Sequence, residues 1–519
     1  MSAALPARFN FAQYLLDKNT CHADRIAYID DCTTLTYGAL EHGIRCVAAG
    51  LLASGLQPGE RMLLILYDDV DFPLAFLGAL FAGIVPVPVN TFLPAADYAY
   101  LIEHSDAKCI VMASALLPIL LPVLMPVMDQ ALSCSASTPQ LIVTGAAAPP
   151  GMSSFKQLQH AQPLQLSADT GSAQCAFWLY SSGSTGRPKA TVHAHGSLYW
   201  TAELYAKPIL GLHADDVVLS AAKLFFAYGL GNALSFPLSV GATVILMAER
   251  TTSQAICQRL TRYQPTVFFG IPTLYVAMLA SATLPRRKEV ALRVCVSAGE
   301  ALPSDTGKRF REHFACDILD GLGSTEMLHI YLSNRPDAIR YGTTGQPVPG
   351  YDIALRNEDN LAVGVGEVGE LYVRGPSAAL MYWSDQQQTR ATFNEGWVRT
   401  GDNYQVDADG YYQCAGRNDD MLKVSGQYVS PLEVEHTLML HQGVLECAVV
   451  SKTDSDGLTK TAAYVVRRDE QADMPQLSDE LKIFIKGKLA PHKYPRDIIF
   501  VDALPKTATG KIQRFKLRS

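Results

Sequence analysis

The sequence predicts an α/β protein with a large N-terminal domain of mixed and parallel sheets, which includes a β-rich subdomain, and a small α+β C-terminal domain. Short apolar runs alternate with helix-like segments over residues 1–350, and this alternation favours mostly parallel sheets packed against helices. From residue 351 the strand-like runs become shorter and Gly-rich, which predicts the β-rich part. A chain of 519 residues exceeds what one core usually holds, so two or more domains are expected.

The first elements of the chain are predicted from its apolar runs. Residues 62–67 (MLLILY) form a strand-like run, and residues 72–83 (FPLAFLGALFAG) are typical of a packed helix. Residues 84–89 contain two prolines and predict an extended piece. Residues 135–172, rich in Ala, Pro, Ser and Gln, are expected to form a surface connection.

Residues 110–128 have the length and apolar character of a membrane-spanning segment. None of these residues is charged. Pro118, Pro122 and Pro126 recur at every fourth position, however, and each removes a helical hydrogen bond. We therefore expect a strand at residues 109–113, followed by a buried, Pro-punctuated packing segment.

The same reasoning places the later elements. Strand-like runs occupy residues 217–220, 242–247, 266–269, 293–296, 369–375, 410–414, 444–451 and 460–466. Helix-like runs occupy residues 254–263, 274–280, 431–440 and 477–489. The charged stretch 416–426 predicts a boundary, with an N-terminal domain at residues 1–415 and a C-terminal domain at residues 427–519.

Composition and charge exclude several classes of function. The chain is 48% hydrophobic and 18% charged, as globular proteins are, and its formal charge of −7 argues against general nucleic-acid binding. Eleven cysteines are scattered and form no C-x-x-C pair, which predicts reduced thiols in a cytoplasm and neither a disulfide frame nor a zinc site. The N-terminal residues lack the pattern of a signal peptide, and no membrane association is expected.

Residues 180–189 (YSSGSTGRPK) predict an anion-binding loop directly after a buried strand. Glycines let backbone N–H groups surround an anion, while hydroxyls and cations add hydrogen bonds and positive charge, so a polyphosphate is the expected ligand. The spacing differs from a Walker A loop, and a Ser/Gly linker is the alternative interpretation. The contributing residues are Ser181, Ser182, Gly183, Ser184, Thr185, Gly186 and Lys189.

Together with further motifs, this loop makes the chain resemble the adenylate-forming superfamily of acyl-CoA synthetases, luciferases and peptide-synthetase adenylation domains. The resemblance runs from about residue 8 to the C-terminus, and residues 223–232 (KLFFAYGLGN) and 320–329 (DGLGSTEMLH) are similar to the benzoate-CoA ligase branch. It implies that a carboxylate attacks the α-phosphorus of ATP and that the thiol of coenzyme A then displaces AMP. Such a reaction needs positioning and charge neutralisation, and it needs no protein nucleophile.

The resemblance also implies roles in nucleotide binding. Lys189 and its loop would hold the β- and γ-phosphates, Thr325 would bind the α-phosphate, and Glu326 would ligate Mg²⁺. Asp320 would contact the adenine amino group, and Leu322 stands where the family usually carries an aromatic residue. The remaining positions, on the adenine and ribose sides, are Gly299, Glu300, Gly321, Asp402 and Arg417. In isolation these segments also fit ordinary turns, surface ion pairs or a helix start.

A moving C-terminal domain follows from the same resemblance. Lys511 would reach the α-phosphate during adenylation, and Asp419 would be the hinge about which the domain rotates between half-reactions. The rotation would bring in a coenzyme A-binding segment that contains Lys423, Ser425, Gly426 and Gln427.

Flat apolar side chains predict a pocket for a planar ring. One wall would be formed by Phe226, Ala227, Tyr228 and Gly229, and the other by Gly323, His329 and Ile330. The alternatives are that His329 is a core histidine and that the aromatic residues belong to a buried helix. Benzoate or a simple substituted benzoate is the expected acid.

The sequence thus predicts an AMP-forming ligase that joins an aromatic acid to coenzyme A, with ATP as co-substrate and Mg²⁺ as cofactor. Activation of a hydroxybenzoate or aminobenzoate, or loading of a carrier protein, is the alternative. A P-loop ATPase is disfavoured by the loop spacing. A homodimer is left open.

Overall fold

The computed structural model describes residues 5–134, 139–145, 148–182, 188–417, 422–424, 427–453, 459–469, 473–489, 493–506 and 512–517.

Twenty-seven strands are found in these residues. Up to residue 270 they are β1 (Ile26–Ile29), β2 (Thr34–Thr36), β3 (Arg61–Ile65), β4 (Val85–Pro88), β5 (Cys109–Ala113), β6 (Gln140–Thr144), β7 (Ser153–Ser154), β8 (Cys175–Ser182), β9 (Pro188–Ala194), β10 (Val217–Ser220), β11 (Thr243–Ile245) and β12 (Val267–Gly270). Beyond residue 270 they are β13 (Val294–Ala298), β14 (Ile318–Gly323), β15 (Ile330–Ser333), β16 (Gln346–Pro347), β17 (Asp352–Arg356), β18 (Gly369–Arg374), β19 (Met381–Tyr382), β20 (Phe393–Asn394), β21 (Trp397–Val406), β22 (Tyr412–Arg417), β23 (Leu422–Val424), β24 (Gln427–Val429), β25 (Val444–Thr453), β26 (Thr459–Arg467) and β27 (Asp497–Phe500).

Fifteen α-helices accompany the strands in the same part of the chain. They are α1 (Phe11–Lys18), α2 (Tyr37–Ala53), α3 (Asp71–Phe81), α4 (Ala95–Ser105), α5 (Leu117–Cys134), α6 (Phe155–Gln159), α7 (His195–Thr201), α8 (Ala227–Leu230), α9 (Phe236–Leu238), α10 (Ser253–Tyr263), α11 (Pro272–Leu279), α12 (Ser304–Phe314), α13 (Gln386–Thr392), α14 (Pro431–Met439) and α15 (Met474–Lys486). Two π-helical turns, Ala202–Ala206 and Gly231–Ser235, continue α7 and α8.

The large domain is built on two mostly parallel sheets. The nine-stranded sheet has the order β16-β15-β14-β13-β12-β10-β11-β1-β2, with parallel pairing from β14 to β1 and antiparallel pairing at both edges. The second sheet, β4-β3-β5-β6-β7, is parallel throughout. This arrangement confirms the predicted α/β class, because crossover helices connect parallel strands.

Alternation along the strands explains why the nine-stranded sheet is covered on both faces. Phe268 packs into an apolar cluster with α10, α11 and α12, whereas its neighbour Phe269 faces a second cluster with Tyr205 and Tyr331. Successive side chains of a strand point to opposite faces, so strands buried on both sides are apolar throughout.

Smaller sheets complete the molecule. Strands β17, β18, β21, β20 and β22 form the predicted β-rich subdomain, and β19, β9 and β8 form a three-stranded antiparallel sheet. In the C-terminal part, β25, β26 and β27 form a sheet, and α14 and α15 pack with it around Val449 and Leu481. The small α+β domain of the prediction is confirmed, whereas its limits at residues 415 and 427 stay predictions; β22 runs to Arg417.

Two local predictions are wrong in part. Residues 117–134 form a helix despite Pro122 and Pro126, and Ile119 and Met125 on it are exposed, so the segment is not fully buried. Each proline removes one hydrogen bond, and burial of Leu120 and Leu124 offsets that loss. No helix in the described part of the chain combines the length and apolar character needed to cross a bilayer.

The other error concerns the expected surface connection. Residues 140–144 form β6, a largely buried strand that pairs in parallel with β5. Its apolar run is only three residues long (LIV) and lies between polar and small residues. A run this short, in a segment rich in Ala, Pro, Ser and Gln, did not indicate a strand.

Candidate active site

The carboxyl ends of β13 and β14 bring the predicted adenine-side residues together. These strands are neighbours in register, with Ser297 opposite Asp320 and Ala298 opposite Gly321. Gly299 follows β13 with a φ of +98°, a left-handed conformation that glycine adopts without strain. Ligands of open α/β sheets bind at this edge, beyond the carboxyl ends of the parallel strands.

Asp320 is a buried acid at this edge. Its Oδ2 accepts a hydrogen bond of 3.4 Å from the backbone N–H of Leu302, whereas Oδ1 is buried without a hydrogen-bond partner within the described ranges. Burial raises the pKa of Asp320 well above its ordinary value. A buried acceptor that lacks a partner is costly, so Oδ1 is suited to an N–H donor of a ligand.

The hairpin of β14 and β15 carries residues from both predicted subsites. Gly323 pairs with Ile330, and Leu322 pairs with Leu332, across this hairpin. The turn between the strands contains Thr325 and Glu326, and the carbonyl of Thr325 accepts a hydrogen bond of 2.8 Å from Nε2 of His193. Predicted nucleotide and acyl residues therefore lie on one short segment of the chain.

Glu326 contacts Tyr382 of β19, and the same tyrosine contacts Lys189 of β9. Oε1 of Glu326 accepts a hydrogen bond of 2.8 Å from the hydroxyl of Tyr382, which lies on β19. Nζ of Lys189, on β9, lies 5.5 Å from the centroid of the same Tyr382 ring. The structure thus brings the predicted metal-binding carboxylate and the predicted phosphate-binding ammonium to one tyrosine.

The predicted phosphate loop connects β8 to β9, which form an antiparallel hairpin. Ser181 pairs with Lys189, so the two ends of the loop lie side by side. Helix α4 braces the hairpin, because its Tyr100 donates to the carbonyl of Pro188 at 3.2 Å and Nδ1 of its His104 lies 2.9 Å from the hydroxyl of Tyr180. The predicted strand before the loop is confirmed.

The segment predicted to bind the acyl group is held by buried polar contacts. Asp68, which is buried, accepts hydrogen bonds of 3.1 and 3.3 Å from the backbone N–H of Leu224. A Cβ at Gly229 would lie 2.0 Å from the carbonyl oxygen of Lys223, so this turn requires glycine. Phe226 is half-buried and precedes α8, on which Ala227 and Tyr228 lie.

His329 lies in an aromatic cluster close to this segment. Its ring centroid is 4.3 Å from Phe236 and 5.4 Å from Tyr228, and its Nε2 donates a hydrogen bond of 3.0 Å to Oδ1 of Asn232. Burial lowers the pKa of His329 to about 3, so the ring is neutral at ordinary pH. A neutral imidazole with this tautomer offers Nδ1 as an acceptor.

The ribose-side and C-terminal residues occupy two further places. Asp402 lies on β21, where it pairs with residue 417 of β22. The backbone N–H of Ile512 donates a hydrogen bond of 3.3 Å to Oε1 of Glu300, so the C-terminal domain contacts the predicted adenine side. Two residues further along, Arg514 forms an ion pair with Glu435 on α14, which attaches this C-terminal segment to the small domain.

Several predicted residues lie outside what the structure describes. They are Gly183, Ser184, Thr185, Gly186, Asp419, Ser425, Gly426 and Lys511, together with the side chains of Ser182, Arg417, Lys423 and Gln427. Their roles stay predictions.

Comparison with known proteins supplies the family. The sequence pattern of the AMP-binding enzyme family matches residues 16–383, and that of the AMP-binding enzyme C-terminal domain matches residues 433–511. The chain belongs to the AMP-binding enzyme family. The two matched stretches correspond to the large domain and the small domain described above.

Individual members of the AMP-binding family are similar over nearly their whole length. The benzoate–CoA ligase of Thauera aromatica is 50% identical over 99% of this chain and 97% of its own. The 4-hydroxybenzoate–CoA/benzoate–CoA ligase of Rhodopseudomonas palustris is 43% identical over 99% and 95%. The solved benzoate CoA ligase of Burkholderia xenovorans LB400 superimposes with a TM-score of 0.91 at 56% identity, covering 98% of this chain and 100% of that one.

Sequence reasoning missed three side chains of the site. Tyr382, His193 and Asn232 contact Glu326, the carbonyl of Thr325 and His329, respectively. Tyr382 and His193 are distant in sequence from the motifs that they contact, so no local pattern indicated them. Asn232 is the last residue of the segment 223–232, which was noted for its resemblance to the benzoate-CoA ligase branch. Its position in a π-helical turn does not follow from the periodicity of an α-helix.

A divalent cation fits the donor set at Glu326. Mg²⁺ favours one or two carboxylates completed by substrate phosphate oxygens and water. Glu326 supplies one partly exposed carboxylate, and no cluster of three or more metal-ligating side chains occurs within the described ranges. A metal ion held by Glu326 would be completed by oxygens from a nucleotide and from water.

Proposed function

We propose that this protein is an ATP-dependent, AMP-forming ligase that converts benzoate, or a simple substituted benzoate, to its coenzyme A thioester through an acyl-adenylate. The β14–β15 hairpin carries this proposal, because Asp320, Glu326 and His329 lie on it within a few residues of each other. A carboxylate can attack the α-phosphorus only where the acyl and nucleotide subsites meet. The activities by which the relatives are named, benzoate–CoA and 4-hydroxybenzoate–CoA ligase, agree with this reaction class.

Charge neutralisation dominates the first half-reaction, because the attacking carboxylate and the triphosphate are both anionic. Lys189 would bind the β- and γ-phosphates with the loop residues, and Thr325 would hydrogen-bond the α-phosphate. Glu326 would hold Mg²⁺, which when bound supplies positive charge to the phosphate oxygens. Lys511 would add the cation nearest to the α-phosphate.

The nucleoside would lie along the adjoining strand ends. Asp320 would accept a hydrogen bond from the adenine amino group through its unpartnered Oδ1, and Leu322 would cover the ring. The main chain at Gly299, Glu300 and Gly321 would line the adenine side. Asp402 would accept hydrogen bonds from the ribose hydroxyls, and Arg417 would contact the ribose or a phosphate.

The acyl pocket would combine the segment that precedes and includes α8 with the start of β15. Phe226, Ala227, Tyr228 and Gly229 would face one side of the ring, and Gly323, His329 and Ile330 would close the other. The neutral His329, held by Asn232, keeps positive charge away from an apolar ring. A para-hydroxyl or amino group would need a hydrogen-bond partner in this pocket.

The second half-reaction would use the C-terminal domain in another orientation. Rotation about Asp419 would withdraw Lys511 and bring in Lys423, Ser425, Gly426 and Gln427 along the pantetheine arm. We propose residues 1–415 and 427–519 as the two bodies, with residues 416–426 as the linker. Cytoplasmic location and a homodimer are part of the proposal.

A substrate panel tests this function. AMP release is measured with the purified protein, ATP, MgCl₂ and coenzyme A in the presence of benzoate, 3- and 4-hydroxybenzoate, 2-aminobenzoate or acetate. Benzoate is expected to give the highest kcat/KM and acetate no measurable rate. Equal rates with acetate, or AMP release only with an acyl carrier protein in place of coenzyme A, would contradict the proposal.

A further inference from the structure

Tyr382 is a buried residue that none of the predicted roles uses. Its side chain is 5% exposed, and its hydroxyl and ring both contact residues that the proposed function places at the phosphates. The hydroxyl donates to Oε1 of Glu326 at 2.8 Å, and the ring centroid lies 5.5 Å from Nζ of Lys189. One side chain therefore contacts both the carboxylate and the ammonium.

The main chain around Tyr382 fixes the position of its ring independently of the hydroxyl. Tyr382 pairs with Thr191 across β19 and β9, and its N–H donates to Oγ1 of Thr389 at 3.0 Å. The ring packs on Phe393 with centroids 5.3 Å apart. Because these contacts hold the ring in place, removal of the hydroxyl alone is expected to be a mild change to the fold.

The hydroxyl selects one of the two carboxylate oxygens of Glu326. A phenol carries one O–H donor, and that of Tyr382 is directed at Oε1 of Glu326. A carboxylate with one oxygen occupied in this way presents its other oxygen to a cation. Mg²⁺ demands near-octahedral geometry, which favours such one-oxygen ligation over a bidentate carboxylate.

We propose that Tyr382 is a positioning residue for the metal and phosphate site. Its hydroxyl, bonded to Oε1, orients Glu326 and leaves Oε2 available to hold Mg²⁺ when the metal is bound, and its ring holds the ammonium of Lys189 by a cation–π contact. This inference rests on the proposed role of Glu326 as metal ligand. Tyr382 on β19 would thereby fix the position of the proposed metal ligand, Glu326, relative to the proposed phosphate-binding lysine, Lys189.

Nucleotide binding without turnover separates this role from a structural one. The affinity of α,β-methylene-ATP is measured by calorimetry with saturating MgCl₂ and again with EDTA, for the wild type and Tyr382→Phe. Partners that orient a ligating carboxylate typically contribute 10- to 100-fold to metal affinity. For Tyr382→Phe, the ratio of the nucleotide affinity in MgCl₂ to that in EDTA should therefore be about tenfold smaller than for the wild type. The affinity measured in EDTA should be unchanged.

Two further variants sharpen the test. Tyr37→Phe is the matched control, because its hydroxyl is equally buried and donates to a carbonyl far from the site; it should change neither affinity. Tyr382→Leu, which also removes the ring, should weaken binding in EDTA as well. An unchanged affinity in EDTA for this variant would overturn the role assigned to the ring.

Direct metal binding provides the deciding measurement. Mn²⁺ is titrated into the protein with saturating α,β-methylene-ATP and followed by electron paramagnetic resonance, which needs no turnover. We expect about tenfold weaker Mn²⁺ binding by Tyr382→Phe than by the wild type or Tyr37→Phe. Equal Mn²⁺ binding, or an equal loss of nucleotide affinity with and without metal, would overturn the proposal. Wild-type protein that binds no nucleotide would instead refute the proposed function.

Discussion

The backbone N–H of Ile512 donates a hydrogen bond of 3.3 Å to Oε1 of Glu300. Glu300 follows β13 at the proposed adenine side of the large domain, and Ile512 is the residue after the proposed adenylation lysine, Lys511. The contact therefore joins the two domains at the point where Lys511 would enter the site. An acceptor on one domain and a donor on the other can favour one domain orientation over another.

The first prediction concerns this contact. Glu300→Ala should slow benzoate-dependent ATP–pyrophosphate exchange about two- to tenfold, because a hydrogen bond contributes about 0.5–1.5 kcal/mol. Thioester formation from supplied benzoyl-adenylate should be unchanged, since the proposed rotation of the C-terminal domain would already have broken the contact. Glu300→Gln retains an acceptor oxygen and should restore most of the exchange rate. An equal loss in both half-reactions would show that Glu300 does not act on domain orientation.

The second prediction concerns Lys511. Lys511→Ala should reduce adenylate formation by at least 10²-fold, because the removed cation would stabilise charge at the α-phosphate in the transition state. The thioester step from supplied benzoyl-adenylate should retain its rate. Lys516→Ala, which removes another exposed C-terminal lysine, is the control. If Lys511→Ala impaired both steps alike, the two-orientation mechanism would be wrong.

The third prediction concerns the packing of His329. A Cβ at Gly231 would lie 2.3 Å from Cδ2 of His329, so Gly231→Ala should displace the imidazole and weaken its bond to Asn232. Overpacking of this kind costs about 1–3 kcal/mol. We expect a lower Tm and a KM for benzoate raised more than the KM for ATP. Gly364→Ala, at an exposed position with ordinary contacts, should change neither.

The fourth prediction is a pH dependence of stability. Burial lowers the pKa of His195 to about 4, and its Nδ1 accepts a hydrogen bond from Phe11 N–H at 3.2 Å. The unfolded imidazole titrates near 6.5, so between these values only the unfolded state binds the proton. The free energy of unfolding therefore falls as pH decreases from about 6.5 to 4, by about 3 kcal/mol for this residue.

Urea denaturation of wild type and His195→Asn at several pH values between 7 and 4.5 measures that contribution. The variant should lose less stability on acidification. The raised pKa values of Asp68, to about 6, and of Asp69, to about 7, give the opposite slope, but they are common to both proteins and cancel in the difference. Parallel curves for the two proteins would contradict the prediction.

Periodicity predicted the fold well where strands are apolar throughout. The predicted strands at residues 109–113 and 217–220 have the same bounds in the structure, because short, largely apolar runs are typical of strands buried on both faces of a parallel sheet. It failed where packing overrides local preference. Burial of Leu120 and Leu124 sustains α5 despite its prolines, and β6 is a strand because β5 provides a parallel neighbour.

The site was predictable only where its residues stand in motifs that resemble those of the family. The motif that contains Asp320 and Glu326 was identified through that resemblance. The contacts of Tyr382 and of Asn232 depend on strand pairing and on a π-helical turn, and neither is encoded in a local pattern. Residues proposed to hold a ligand are therefore easier to find from sequence than the residues that position their side chains.

The route of a carboxylate oxygen tests the central claim most directly. Benzoate labelled with ¹⁸O in its carboxylate is incubated with ATP, MgCl₂, coenzyme A and the purified protein, and the products are analysed by mass spectrometry. Attack of the carboxylate on the α-phosphorus predicts one ¹⁸O atom in AMP, unlabelled pyrophosphate and benzoyl-CoA in amounts equal to AMP. Label in inorganic phosphate with ADP as product, or unlabelled AMP, would contradict the acyl-adenylate mechanism.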